Sequence, residues 1–320
     1  MNEIFISIIM PVFGVEKYIE NSITSVIKQT YQNFELVIVN DDTKDKSIEI
    51  AEKVLVGSNI NYRILNKKNG GLGDSRNYGL HHADGEWALF LDSDDILLPS
   101  TLEDMVEVLN ANHKVDFIFT YFQNVSIGEE FKESSINDGI EFMDRTQIQN
   151  DFLSRKKVIL APGTLINRKW LLDSNIFFKK VPYSEDQLFV WEMLINCENV
   201  VLIKKQLYNY LHRPNSIMTS TKFNKIIDAY DFFYQLNLKI QNDNRVTASV
   251  KSFLLSRWVL GILNSSAKLS SFEEYKIVCK SFDGRNHMKN LIHFPSLKVK
   301  LASIIYLISK KIYYKINNIK

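Results

Sequence analysis

The sequence predicts an α/β fold, a mostly parallel β-sheet flanked by helices, extended by a helical C-terminal region. Three observations carry that prediction. Short β-branched runs alternate with segments of helical apolar spacing through the first third of the chain. Several of those runs are continuously apolar, as strands covered on both faces are. The last third shows helical periodicity alone.

Taken in order, strands are predicted at Ile4–Met10, Glu35–Val39, Tyr62–Leu65, Glu86–Leu91 and Val115–Thr120, with helices at Val15–Gln29, Asp45–Val56, Gly73–His82 and Ser100–Asn112 between them. Asp45 is expected to cap the second helix, and "PSTLE" to start the fourth with Ser100 as N-cap and Glu103 three residues on. The middle of the chain is mixed, with a helix at Arg145–Arg155 followed by "APGTLINRKWLL", "YSEDQLFVWEML" and "LYNYLHRPNSIM". Helices are then expected at Phe223–Gln241, Val246–Lys268, after the capping signal "SFEE" at Ser271–Glu274, and at Ser296–Tyr314. Residues 1–220 are read as one ligand-binding and catalytic domain and 221–320 as the helical region.

Composition narrows the function. With 320 residues, 45% apolar and 24% charged, the chain is globular, and its net charge of +2 gives no reason to expect nucleic acid as a partner. Two distant cysteines, Cys197 and Cys279, exclude a disulfide framework and show no metal or redox spacing. The apolar opening "IFISIIMPVFGV" has Glu3 in front, contains Pro11 and lacks a small-residue cleavage site, so it reads as a core strand and the chain is expected in the cytoplasm. No run reaches the roughly 20 apolar residues of a membrane span.

Ligands of open parallel sheets bind beyond the carboxyl ends of the strands. The segments there are "PVFG" at Pro11–Gly14, "NDDTKD" at Asn40–Asp45, "NKKNGGLGDSRN" at Asn66–Asn77 and "DSDD" at Asp92–Asp95. Carboxylates one residue apart, such as Asp92 and Asp94, offer oxygen to a hard cation such as Mg²⁺ or Mn²⁺, which completes its shell with water and substrate phosphate. Asp41 ends an earlier strand on the same edge, and Arg76 follows a glycine-rich turn. Taken singly these signals are weak: a short acidic cluster is more often a solvated turn, and the glycines match no dinucleotide fingerprint.

Together, "SIIMPVFGVEKYIENSITSVIKQTYQNFELVIVNDDTKDKS", "NGGLGDSRNYGL" and "FLDSDD" resemble, in order and spacing, the N-terminal motifs of family 2 glycosyltransferases. The resemblance is strong over about residues 4–120 and looser to about Met218. It implies a GT-A (Rossmann-like) fold and an inverting transfer of a sugar from a UDP-sugar to a hydroxyl of a glycan acceptor, as in capsular, exopolysaccharide or cell-wall synthesis. By position, Pro11, Val12 and Phe13 would pack on the nucleobase and Asp41 would bond the uracil. Where family members read Asp-Asp-Gly-Ser, this chain has Asn40-Asp41-Asp42-Thr43, which puts the shape of that loop in question. Arg76, Asp92 and Ser93 would meet ribose and diphosphate, with Arg213 and Ser216 as further phosphate contacts. Asp94, with Asp92 and His212, would hold the metal, Mn²⁺ or Mg²⁺. Of the acid pair opening "YSEDQLFVWEML", Asp186 would be the general base and Glu185 the fallback; on spacing alone, both could equally serve the helix dipole.

Two rival functions stay open at this point. One is an inactive, transferase-like carbohydrate-binding or partner subunit, to which Asn40 and Asp42 lend slight support. The other is a phosphatase of the haloacid dehalogenase type, since "FLDSD" superficially resembles its nucleophile motif, although three strands precede it here. The tail "FPSLKVKLASIIYLISKKIYYKINNIK" combines regularly spaced apolar residues with six lysines, and no acid follows Asp283. It is expected to lie on the inner face of the cell membrane, where a lipid-linked acceptor would be found. A helix packed on the body or in a homodimer is the alternative.

Overall fold

A computed structural model describes residues 3–111, 114–126, 139–181, 184–212, 230–269 and 271–318. The chain divides into two compact units, the first comprising Met1–Arg145, Val158–Lys180 and Glu185–Ser216, the second Thr146–Lys157, Val181–Ser184 and Ile217–Lys320.

The first unit is built on a nine-stranded mixed sheet. Its strands are β1 (Ile6–Val12), β2 (Phe34–Asn40), β3 (Asn61–Asn66), β4 (Trp87–Phe90), β5 (Ile96–Leu97), β6 (Phe117–Ser126), β7 (Ile140–Asp144), β8 (Leu165–Asn167) and β9 (Asn199–His212). They run in the order β3-β2-β1-β4-β8-β6-β9-β5, with β7 also paired to β9. β3, β2, β1 and β4 are mutually parallel, so the segments that follow them emerge on one edge, as expected from the apolar runs. β1 and β2 are continuously buried except at Asn40. Each fully buried Ile or Leu there contributes on the order of 2 kcal/mol.

Helices α1 (Ile19–Ile27), α2 (Ser47–Leu55), α3 (Leu72–His82) and α4 (Thr101–Ala111) connect these strands; α5 (Arg145–Ser154) belongs to the second unit from Thr146 onward, while α6 (Arg168–Asp173) and α7 (Glu185–Asn196) return to the first. In α1 and α4 the buried residues recur every three or four positions, placing one stripe against the sheet. The expected capping box on α4 is not formed. Ser100 donates to Asp104 and Glu103 accepts from Thr30, while the open Leu102 N–H is taken by the buried Gln29 amide. Asp45 is not the N-cap of α2, a position Lys46 holds without a side-chain cap; it lies one residue earlier, accepts from the N–H of Ser47, the first residue of α2, and also from the Glu16 N–H, and so ties the loops after β1 and β2 together.

The second unit contains α8 (Tyr230–Ile240), α9 (Ala248–Leu269), α10 (Phe272–Ser281), α11 (Gly284–Leu291), α12 (Leu297–Ile308) and α13 (Lys310–Asn317). The Ser271–Glu274 capping box is present at the start of α10. The single tail helix expected over Ser296–Tyr314 is instead two. Ser309 leaves helical geometry at φ −154° and its hydroxyl accepts the Ile312 N–H, ending α12 and starting α13.

Candidate active site

The loop after β2 carries Asp41, whose side chain is almost fully buried. Its Oδ1 accepts from Lys67 Nζ at 2.6 Å and from the Gly70 N–H at 2.9 Å, and Oδ2 accepts from the Gly71 N–H at 2.9 Å. Burial alone would push this carboxyl up; Lys67 and the two amides outweigh it and hold Asp41 below the ordinary aspartate value. Gly71 at φ +90° allows the chain to turn both amides onto one carboxylate. The glycine-rich turn is therefore tied to Asp41. Asp42, where the resembling motif has glycine, takes the left-handed conformation at φ 60°, a region that glycine adopts most readily. Asn40 supports it by accepting the Thr43 N–H at 3.0 Å.

Arg76 projects from α3 and is 2% exposed. Nη2 donates to Asp92 Oδ1 at 2.6 Å, Nη1 lies 4.0 Å from Glu185 Oε1, and the guanidinium stands 5.0 Å from the centre of the Phe178 ring. Among the described residues, Nε and Nη1 have no hydrogen-bond acceptor. Burial opposes its charge, yet Asp92, Glu185 and Asp186 outweigh this and raise its pKa.

Exposure alternates along the acidic cluster, with Asp92 and Asp94 partly open and Ser93 and Asp95 buried. Asp95 accepts from the Tyr208 hydroxyl and, at 2.8 Å, from the Leu211 N–H, fastening β9 to the turn between β4 and β5. Burial, reinforced by Asp92 and Asp94, pushes the Asp95 carboxyl well above its ordinary value. Tyr210, half-buried, is pushed up to about 12 by burial and by the same three aspartates. At the start of α7, burial raises both Glu185 and Asp186, with the Asp186 charge adding to the shift of Glu185 and Arg76 opposing both.

Other expected site residues fall as follows. Pro11 and Val12 belong to β1, and Val12 is sealed in the core, so its side chain is not available to a base; Phe13, 56% exposed, is the apolar side chain open at this edge. Ser93 is likewise buried. His212 ends β9 with Nε2 2.9 Å from Asn124 Oδ1 and its ring against the Tyr210 edge. Arg213 and Ser216 lie outside the described residues. Trp191 is in the core and Trp170 packs near Phe117. Lys67, Tyr208, Tyr210 and Phe178 were not singled out by the motifs.

Among the described residues, no three of His, Cys, Asp and Glu are grouped to hold a metal by themselves. Asp92 and Asp94 do present two carboxylates from one strand end. That donor chemistry fits a hard cation that takes one or two protein carboxylates and draws its remaining oxygens from substrate phosphate and water.

The glycosyl transferase family 2 profile matches residues 7–174. The chain is 28% identical over 239 residues to the poly(ribitol-phosphate) beta-N-acetylglucosaminyltransferase TarS of Staphylococcus aureus, covering 74% of this chain and 40% of that protein. It thus spans about two fifths of that relative's length. It is also similar to an uncharacterized glycosyltransferase of Haemophilus influenzae, 28% identical across 93% of both chains. In structure it resembles S. aureus TarS 1-349 in complex with UDP-GlcNAc, with a TM-score of 0.67 and 24% identity over 99% of this chain and 90% of that one, a likeness of fold. The sheet and its helices are those of the GT-A fold, and the chain belongs to glycosyl transferase family 2.

Proposed function

We propose that the chain transfers a sugar, with inversion, from a UDP-sugar to a hydroxyl of a glycan acceptor in the assembly of a bacterial surface polysaccharide. The observation that carries this reading is the buried Arg76, which joins Asp92 on the donor edge to Glu185 at the start of α7. It gives one basic group to a diphosphate and brings a pair of acids to the same place. The relatives' names point the same way, since one is a poly(ribitol-phosphate) beta-N-acetylglucosaminyltransferase and another a minor teichoic acid biosynthesis protein.

In this reading the acceptor oxygen attacks the anomeric carbon from the face opposite the diphosphate, the bond from that carbon to the phosphate oxygen breaks, and UDP leaves. Asp186 takes the acceptor proton, with Glu185 as the neighbouring alternative. A base with a pKa raised by burial binds that proton more readily than an exposed aspartate does. Arg76 meets the charge that develops on the diphosphate. Asp94 and Asp92, with His212 as a third candidate, would hold Mn²⁺ or Mg²⁺, whose charge would stabilise the same leaving group. Phe13 offers its ring to the base, and Asp41 fixes the loop beside it. The acceptor is proposed to be lipid-linked.

A thermal-shift panel of UDP-, GDP- and dTDP-sugars, with and without Mn²⁺, tests the donor. UDP-sugars are expected to raise the melting temperature, because a ligand that binds only the folded state stabilises it. No shift with any nucleotide sugar would contradict the proposal.

A further inference from the structure

Each of the last two helices presents exposed apolar side chains that the second unit does not cover. Leu297, Leu301, Ile304 and Ile308 of α12 and Ile312 and Ile316 of α13 are between 41% and 77% exposed. With about 3.6 residues per turn, the four on α12 fall on one narrow line. Val299, Ser303 and Tyr306, on the opposite side, are buried. Lys298 lies to one side of that line and Lys300 to the other, while Lys311 and Lys315 stand exposed beside Ile312 and Ile316.

We propose that this face docks on an anionic lipid bilayer, with the six apolar side chains in the acyl boundary and the flanking lysines at the headgroups. The arrangement is that of a helix lying in an interface: an outward apolar line with long cationic side chains along its borders that can reach back to the polar layer. No described helix is long and apolar enough to cross a membrane, so contact would be parallel to the surface. Charge decides between a bilayer and a second copy of the chain. No acidic residue follows Asp283, so two such faces brought together would set lysine against lysine with no carboxylate of the segment to pair them. An anionic surface satisfies both the apolar line and its borders.

The full chain tests this by co-sedimentation with vesicles of phosphatidylcholine alone and of phosphatidylcholine with phosphatidylglycerol in equal parts. Binding is expected only to the anionic vesicles and is expected to weaken with added salt. Leu301→Gln with Ile308→Gln removes apolar contact at exposed positions, and Lys298→Gln with Lys300→Gln removes charge; both should keep the wild-type circular dichroism and melting temperature. The first pair is expected to lower partitioning at least tenfold, and each lysine change about fivefold. Failure to bind anionic vesicles, equal binding to neutral ones, or unchanged binding by both variants would overturn the proposal. So would a wild-type dimer in sedimentation velocity that Leu301→Gln with Ile308→Gln abolishes, which would assign the apolar line to a second copy.

Discussion

Arg76 donates to Asp92 across 2.6 Å from a position sealed against solvent, while its other terminal nitrogen stands 4.0 Å from Glu185. One guanidinium thus joins the acids that follow β4 to those that open α7. A planar fork can do this where an ammonium cannot. Arg76→Met leaves the partly buried carboxylates of Asp92 and Glu185 without their counter-charge and removes the basic group proposed to meet the diphosphate. We expect kcat/KM for sugar transfer to fall by about a hundredfold or more, with Arg76→Lys intermediate, as steady-state kinetics would record.

The pH dependence follows from the same contact. Burial raises Asp186 and Glu185 above ordinary carboxyl values, and Arg76 works against that rise. A general base must be ionised, so activity is lost as pH falls through the raised value. The acidic limb of kcat/KM should therefore lie above the ordinary aspartate value of 3.8 and move further up in Arg76→Met. A limb at or below 3.8 in the wild type would remove these acids as the base.

Asp41 behaves in the opposite sense. Its folded pKa lies below the ordinary 3.8, so the stability it contributes is fully present above that value and lost as pH falls through the lowered one. Lys67→Met removes the ammonium that bonds both Asp41 and Asp74. It is expected to cost on the order of 3 kcal/mol at neutral pH and to shrink the acid-side loss of stability. Urea denaturation at several pH values measures both.

Tyr208 holds Asp95 from 113 residues away, and Gly163 at φ +74° lies against its ring. Tyr208→Phe leaves a buried carboxylate short of a donor and should cost about 1–3 kcal/mol. Gly163→Ala adds a Cβ where the ring stands, in a conformation alanine resists, and should destabilise by about 2 kcal/mol or more. Denaturant midpoints at constant slope would register each change.

How much of this was legible in the sequence depended on whether one segment sufficed to signal it. The parallel strands were legible because Ile6–Val12 and Phe34–Asn40 are apolar runs closed by polar loops. β9 was not read as one strand: Lys204, Lys205 and Gln206 interrupt its apolar pattern where its pairing with β6 shifts register near Tyr121. In the short, largely exposed β7 the exposed positions include the apolar Ile140 and Phe142, so its residue pattern does not follow its burial. In the site, Asp41, Arg76, Asp92 and Asp186 stood in motifs, so they could be named in advance. Lys67 is one lysine of a polar loop, and the Tyr208–Asp95 contact depends on the fold bringing two distant segments together. The burial of Ser93 and the core position of Val12 depend likewise on pleat and packing, which a motif does not encode.

Asp186→Asn shows whether Asp186 removes the acceptor proton in a UDP-sugar transfer, as proposed. Transfer from a UDP-sugar to a glycan acceptor would be measured beside the UDP-induced rise in melting temperature. We expect kcat to fall by about a hundredfold to ten-thousandfold while UDP stabilises the variant as it does the wild type. Wild-type transfer rates in Asp186→Asn would rule out Asp186 as the base.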